Sequence, residues 1–168
     1  MSSPQKDGYA GFSFFNALPA DVYAAAVAGT TIDLQGFDEA TIILNAQSLA
    51  SGGAMSADNV WRGVLQQGLA SAAGVSAWSN VAHSMMLHSV IGLNGPYSVL
   101  SDGIFASFGS TTDVLSNATY AVGYKGDGKH RYLRLYMSNT GVASTLWMAA
   151  IAVLGKPANW PINEVAKA

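Results

Sequence analysis

Residues 120–139 read Tyr120-Ala-Val-Gly-Tyr-Lys-Gly-Asp-Gly-Lys-His-Arg-Tyr-Leu-Arg-Leu-Tyr-Met-Ser-Asn139, and the fold class turns on them. After the glycines, Tyr132, Arg134 and Tyr136 fall on one face of an extended chain. Leu133, Leu135 and Met137 fall on the other, a period of two. Tyr120, Val122 and Tyr124 alternate in the same way before the glycines. Gly126, Asp127 and Gly128 are residues able to take the positive φ angles of a tight turn. The stretch is therefore expected to form two strands folded back as a β-hairpin. It also holds Lys125, Lys129, Arg131 and Arg134, four of the eight Lys and Arg residues of the chain, so its tip is basic.

Outward from this stretch, short apolar segments alternate with turn signals. The expected strands are 22–28, 32–34, 40–46, 60–69, 77–83, 86–91, 104–108, 119–124, 132–138 and 145–154. Gly29, Gly36, Gly52-Gly53, Gly74, Asn94-Gly95-Pro96, Asp102-Gly103 and Asn139-Thr140-Gly141 punctuate them. Many short strands with frequent turns predict a β-sandwich or barrel. A competing reading makes 21–28 a short helix, with Asp21 as its cap and Gly29 as its stop. Four of the five prolines lie near the ends, at Pro4, Pro19, Pro157 and Pro161. Proline removes a donor and restricts φ, so both ends are expected to be extended. The expected organisation is an N-terminal arm over 1–20, a sandwich over 21–155 and a C-terminal arm over 156–168.

Composition sets limits on function. A chain of 168 residues fits one domain. It has no cysteine, which excludes disulfides, thiolate zinc sites and a cysteine nucleophile. Charged residues make up 11% of the chain, against about 25% in an average soluble domain. Residues 63–101 contain no Asp, Glu, Lys or Arg at all. Such a surface is either a neutral Ser/Asn-rich one or one covered by a partner or by copies of itself. A formal net charge of −2 argues against a dedicated nucleic-acid binder. The longest apolar run, 146–154, is too short to cross a bilayer. The first residues lack the pattern of a secretory signal, so folding in a cytoplasm is expected.

His83 and His88 are five apart, which puts them on opposite faces of a continuous strand, and no metal-ligand spacing occurs. Asp33, Asp38 and Glu39 cluster, which suits acid–base work or a hard cation such as calcium. Nothing else marks a cleft, and turns between strands commonly carry Asp, which favours a structural role. Gly126-Asp127-Gly128-Lys129 lacks the spacing of a phosphate loop, and no nucleophile elbow is present. No catalytic residue, no metal and no cofactor are therefore expected. The basic stretch with Tyr124, Tyr132 and Tyr136 leaves three readings open. It suits nucleic acid, salt bridges to an acidic neighbour, or Arg stems lying over Tyr rings in solvent. Phe12, Phe14 and Phe15 stand in a Gly/Ser/Asn-rich beginning, and Trp160 stands beside Pro161. Aromatics in extended ends point to docking, on a partner or on the same domain. The candidate partner-contacting residues are Phe12, Phe14, Phe15, Lys125, Lys129, Arg131 and Trp160.

Two blocks carry a family resemblance. The first runs from Tyr23 to Ala46 and holds Asp33, Leu34, Gly36, Phe37 and Ala40. The second holds Tyr120, Val122, Gly123, Tyr124, Gly126, His130, Arg131, Tyr132 and Arg134, and is closed by Gly155-Lys156-Pro157. Together they resemble a group of small virion proteins of tailed bacteriophages. Members pair Asp-Leu-x-Gly-Phe/Tyr-x-x-Ala with Tyr-x-Val-Gly-Tyr-x-Gly-x-Lys-Arg-Tyr-x-Arg and a Gly-x-Pro exit. The middle, 65–113, departs from the pattern. Where typical members carry acidic residues, this chain has Leu65-Gln66-Gln67-Gly68 and Trp78-Ser79-Asn80-Val81, and the stretch after His83 is longer.

With capsid decoration proteins as the functional analogy, the resemblance implies an all-β, jelly-roll-like β-sandwich with extended arms. It implies a structural virion protein that decorates and stabilises a phage capsid by bridging neighbouring major capsid subunits. The implied partners are the major capsid protein and copies of itself as a homo-oligomer on the particle, with no nucleic acid and no membrane. Assembly into the virion would occur in the host cytoplasm. The alternatives are a tail, neck or fibre-associated virion protein, and a carbohydrate-binding sandwich with Trp61, Trp78 or Trp147 as a sugar platform.

Overall fold

A computed structural model of the protein describes residues 12–48, 59–71, 74–89, 102–108, 118–141 and 145–157. Within them the chain forms β1 (Ser13–Tyr23), β2 (Val27–Ala28), β3 (Ile32–Asp33), β4 (Phe37–Ser48), β5 (Trp61–Ser71) and β6 (Gly74–Asn80). A 3-10 turn at His83–Met85 follows, then β7 (Met86–Ser89), β8 (Ile104–Phe108), β9 (Ala118–Lys125), β10 (Tyr132–Asn139) and β11 (Leu146–Pro157). The described residues contain no α-helix. The competing helix over 21–28 is absent: β1 continues to Tyr23, and Asp21 accepts the Val22 N–H at 2.7 Å.

Alternation sets which side of each strand is buried. On β4, Ala40, Ile42, Leu44 and Ala46 are buried while the residues between them are not. On β11 the buried set is Leu146, Met148, Ala150, Ala152 and Leu154, and on β10 it is Leu133, Leu135 and Met137. Each strand thus has one apolar side that gains by leaving water. Two sheets satisfy this by packing face to face. Sheet I has the order β1-β11-β4-β9-β7. Sheet II has the order β2-β10-β5-β6, with β3 also on β10 and β8 also on β5. Between them lie Trp61, Phe108, Tyr120 and Tyr124. Phe108 and Tyr120 meet edge to face with centroids 4.9 Å apart, the favoured geometry for two rings.

The pairings are nested. β1 pairs with β11, β2 and β3 with β10, β4 with β9, and β5 with β6, all antiparallel. A long hairpin ribbon rolled on itself gives this order, with alternate pairs in opposite sheets. That is the jelly roll. β7 and β8 extend this frame. β7 adds beyond β9, and β8 lies on the first half of β5.

Several sequence expectations need correction. Residues 120–139 form two strands but not a hairpin: β9 belongs to sheet I and β10 to sheet II, so the glycines carry the chain across the sandwich. Gly126, Asp127 and Gly128 break the strand but form no tight hairpin turn: the chain bends at 128–129, and of the two glycines Gly128 has positive φ. The partner of each strand is non-local. The arm boundary at 20/21 falls inside β1, because Ser13–Tyr23 pairs along β11 and buries Ala17 and Leu18. Likewise the boundary at 155/156 falls inside β11. His83 sits in the 3-10 turn and His88 in β7, so they do not share a strand.

Candidate docking faces

The chain corner at 126–131 gathers both blocks of the resemblance. Arg131 from the second block forms a two-pronged bond to Asp33 of the first, Nε to Oδ1 at 2.8 Å and Nη2 to Oδ2 at 2.6 Å. The Leu34 N–H donates to the Arg131 carbonyl at 2.8 Å, and the Gly126 N–H to the Asp38 carbonyl at 2.7 Å. Pro157 lies opposite Phe37 in the β11–β4 register. These residues therefore hold one end of the sandwich shut, a structural task. Asp127 anchors the turn. Its Oδ1 accepts the backbone N–H groups of Lys129 and His130 at 2.8 and 2.9 Å, and its Oδ2 meets His130 Nδ1 at 2.7 Å.

The candidate partner residues fall at this same end. Phe12, Phe14 and Phe15 stand at the start of β1, which pairs with the end of β11. Lys125 ends β9 opposite Glu39 of β4. Phe14 is 68% exposed, Phe12 52% and Phe15 38%. Lys129 and Arg131 line a shallow polar groove with Gly36, Asp38 and His130. Arg131 is already committed to Asp33, whose carboxyl the bonded guanidinium holds below its usual range. Trp160 lies outside the described residues.

The outer face of sheet I differs from that corner. Outward positions run from Phe14, Asn16 and Val22 on β1, through Trp147, Ala149, Ile151 and Val153 on β11. They continue through Thr41, Ile43 and Asn45 on β4 and Thr119, Ala121 and Gly123 on β9 to Leu87 on β7. Among the described residues, its charge is confined to Glu39 and Lys125 at one end. Val22, Ile151 and Leu87 are each close to half exposed. A groove of about 450 Å³ opens between Phe14, Asn16, Ala20, Ala149 and Ile151. Large contiguous exposed apolar patches are common at interaction surfaces.

The outer face of sheet II is built on rings and cations. Tyr132, Arg134 and Tyr136 point outward as their alternation predicted. Register sets Arg134 opposite Gln66 on β5, and Gln66 opposite Asn80 on β6. The Arg134 guanidinium lies 4.2 Å from the centroid of the Trp78 ring and 5.9 Å from that of Tyr136. Its Nε donates to Gln66 Oε1 at 2.9 Å. Sequence reading missed this cluster. Tyr132, Arg134 and Tyr136 were visible as one face, but Trp78 joins them only through the β5–β6 register.

The three tryptophans proposed as sugar platforms separate. Trp61 is fully buried, Trp78 is overlain by Arg134, and Trp147 is half-buried on the outer face of sheet I. Among the described residues, no group of three or more His, Cys, Asp or Glu side chains could hold a metal ion. Within the same residues, no helix is long and apolar enough to cross a membrane.

No family model matches the chain, and no curated protein matches it. Among solved structures, one of infectious bursal disease virus, Gx strain, aligns with 90% of this chain at 9% identity and a TM-score of 0.37. The chain spans about a third of that viral chain, 33% of its length. At that score the likeness carries no conclusion about function.

Proposed function

We propose that the protein is a structural component of a tailed-phage virion that decorates the head and bridges neighbouring major capsid subunits. The observation that carries this reading is the outer face of sheet I, a broad apolar surface with charge at one end only. Fold alone does not assign function. The sequence blocks that resemble small virion proteins support the reading, and the corner they build keeps the sandwich rigid. The apolar face would seat on a shell subunit, with Asn and Thr side chains satisfying hydrogen bonds beside it. Many copies held at once on one shell would gain from effective concentration rather than from tight single contacts. This role calls for no catalysis, no cofactor and no nucleic acid.

The deciding experiment is the stoichiometry of the protein relative to the major shell protein in purified particles. A ratio close to that of the shell is expected. A few copies per particle would move the protein to the neck, tail or fibre. Glycan binding without particle association would favour the carbohydrate-binding sandwich, with Trp147 as the remaining platform.

A further inference from the structure

We propose that the outer face of sheet II carries a carboxylate-receiving site built on Arg134, which docks an acidic side chain of a neighbouring protein subunit. The site stands apart from the shell reading above, since it requires an acidic protein surface and no virion.

The guanidinium is held in one place before any partner arrives. Trp78 and Tyr136 give it rings to lie against, at 4.2 and 5.9 Å. Gln66 Oε1 takes its Nε–H at 2.9 Å. Gln66 is itself oriented, because its Nε2 donates to Asn80 Oδ1 at 3.3 Å, and Asn80 Nδ2 donates to the Asp102 carbonyl at 3.3 Å. This relay crosses three strands and, among the described residues, leaves the Nη groups as the free prongs of the fork. Gly68 makes the ring placement possible. It lies opposite Trp78 in the register, and a Cβ there would come within 3.3 Å of the indole and collide with Val75.

What the site lacks is an anion. Among the described residues, no carboxylate pairs with Arg134. Asp33, at the edge of the same face, is taken by Arg131. Asp102, at the end of the relay, turns a carboxylate oxygen to the His83 N–H at 2.8 Å. Arg134 is half-buried, and that burial lowers its pKa, so it bears a desolvation cost with no counter-charge to offset it. A planar, pre-oriented fork with free Nη groups matches the two oxygens of a carboxylate. Arg, Trp and Tyr together are also the residues most often found at the energetic centre of a protein interface.

Nucleic acid is the other polyanionic partner to weigh, and the face suits it less. The Trp78 ring is covered by Arg134, which leaves no bare plane for a base. Arg62 lies four residues from Gln66 along β5, about 13 Å at strand spacing. The whole chain has a net charge of −2, where a nucleic-acid face calls for a cationic cluster.

The test titrates the intact chain with two short blocked peptides, Phe-Gly-Glu-Phe and Phe-Gly-Gln-Phe. The Trp78 indole and Arg134 Nε–H signals are followed by NMR. The expected result is saturable shifts with the Glu peptide and affinity at least about tenfold lower with the Gln peptide. Arg134→Gln should abolish the shifts. Arg134→Lys should weaken binding nearly as much, because an ammonium keeps the charge but loses the fork and the stacking. If Arg134→Gln does not fold, the wild-type comparison of the two peptides and Arg134→Lys decide. Equal affinity for both peptides overturns the proposal, as does unchanged binding in the Arg134 variants. So does the absence of saturable shifts up to about 5 mM peptide. Tighter binding of a short oligothymidylate, falling steeply with salt, would overturn it in favour of a nucleic-acid face.

Discussion

Asp127 shows how a single side chain sets a corner and a pH dependence together. Partial burial alone would raise its carboxyl. The Lys129 and His130 N–H groups and the His130 ring outweigh that and bring it from 3.8 to about 2. A depressed carboxyl adds stability that is complete above its unfolded value and is lost as pH falls through the folded one. The corner should therefore weaken between about pH 4 and pH 2. Melting temperatures measured across that range should fall, and Asp127→Asn should flatten the fall. The glycines beside it differ from one another. Gly128 has φ +72° and Gly126 is not among the positive-φ glycines. Gly128→Val should cost roughly 1 kcal/mol or more for the left-handed backbone, read by urea denaturation. At Gly126 the obstacle is instead the Asp38 carbonyl, 3.0 Å from an added Cβ. In the core, Tyr124 donates its hydroxyl to the buried Gln67 at 3.3 Å, and burial pushes its pKa to about 12. Tyr124→Phe strands the Gln67 oxygen and should cost about 1–3 kcal/mol, measured in the same way.

The strand that most changes the initial picture is β1. Its extended character followed from Pro19 and the lack of helical periodicity, and the structure agrees. What it docks onto is β11 of its own sandwich, with Leu18 opposite Ala150 and 1% exposed. Leu18→Ala should therefore cost about 2–5 kcal/mol. Removal of residues 1–18 should expose the edge of β11 and the core beneath it, giving a chain that aggregates or fails to show a cooperative thermal transition. A truncated chain that melts like the intact one would show that β1 adds nothing to the fold. Phe14, on the outward side of the same strand, is a different case, because its ring faces solvent and not the core.

Across the molecule, the two outer faces differ in chemistry. Sheet I presents apolar side chains with charge at one end, and sheet II presents Arg134 on a Trp–Tyr bed. The two faces lie back to back on one core; the proposed bridging role would use the first, and the Arg134 site is independent of it. Ile151, near the middle of the apolar face and 47% exposed, tests the first contact. Ile151→Asp should change folding stability by only about 0.5 kcal/mol, as is usual for surface positions. It should strongly reduce co-sedimentation with purified particles. Undiminished particle binding would remove the outer face of sheet I from the proposed interface.

Much of this was legible in one dimension. Alternation on 132–138 separated Leu133, Leu135 and Met137 from Tyr132, Arg134 and Tyr136, and the structure buries the first set and turns the second outward, because side-chain direction along a strand is a local property with period two. The 104–108 strand and the turns at Gly36, Gly74, Gly103 and Gly141 were likewise readable, each of those glycines having positive φ. Strand partners were not. A residue's alternation says that one side of its strand is buried, but not against which strand or in which sheet. That is decided by registers that join positions far apart in the chain. For this reason the strand break at Gly-Asp-Gly was legible, while the parting of β9 and β10 into opposite sheets was not. The bond between Arg131, a candidate partner contact, and Asp33, 98 residues away, is likewise set by the fold alone. Trp61, Trp78 and Trp147 are one residue type with one sequence signal. Long-range packing alone made the first a core side chain, the second a bed for Arg134 and the third part of an apolar face.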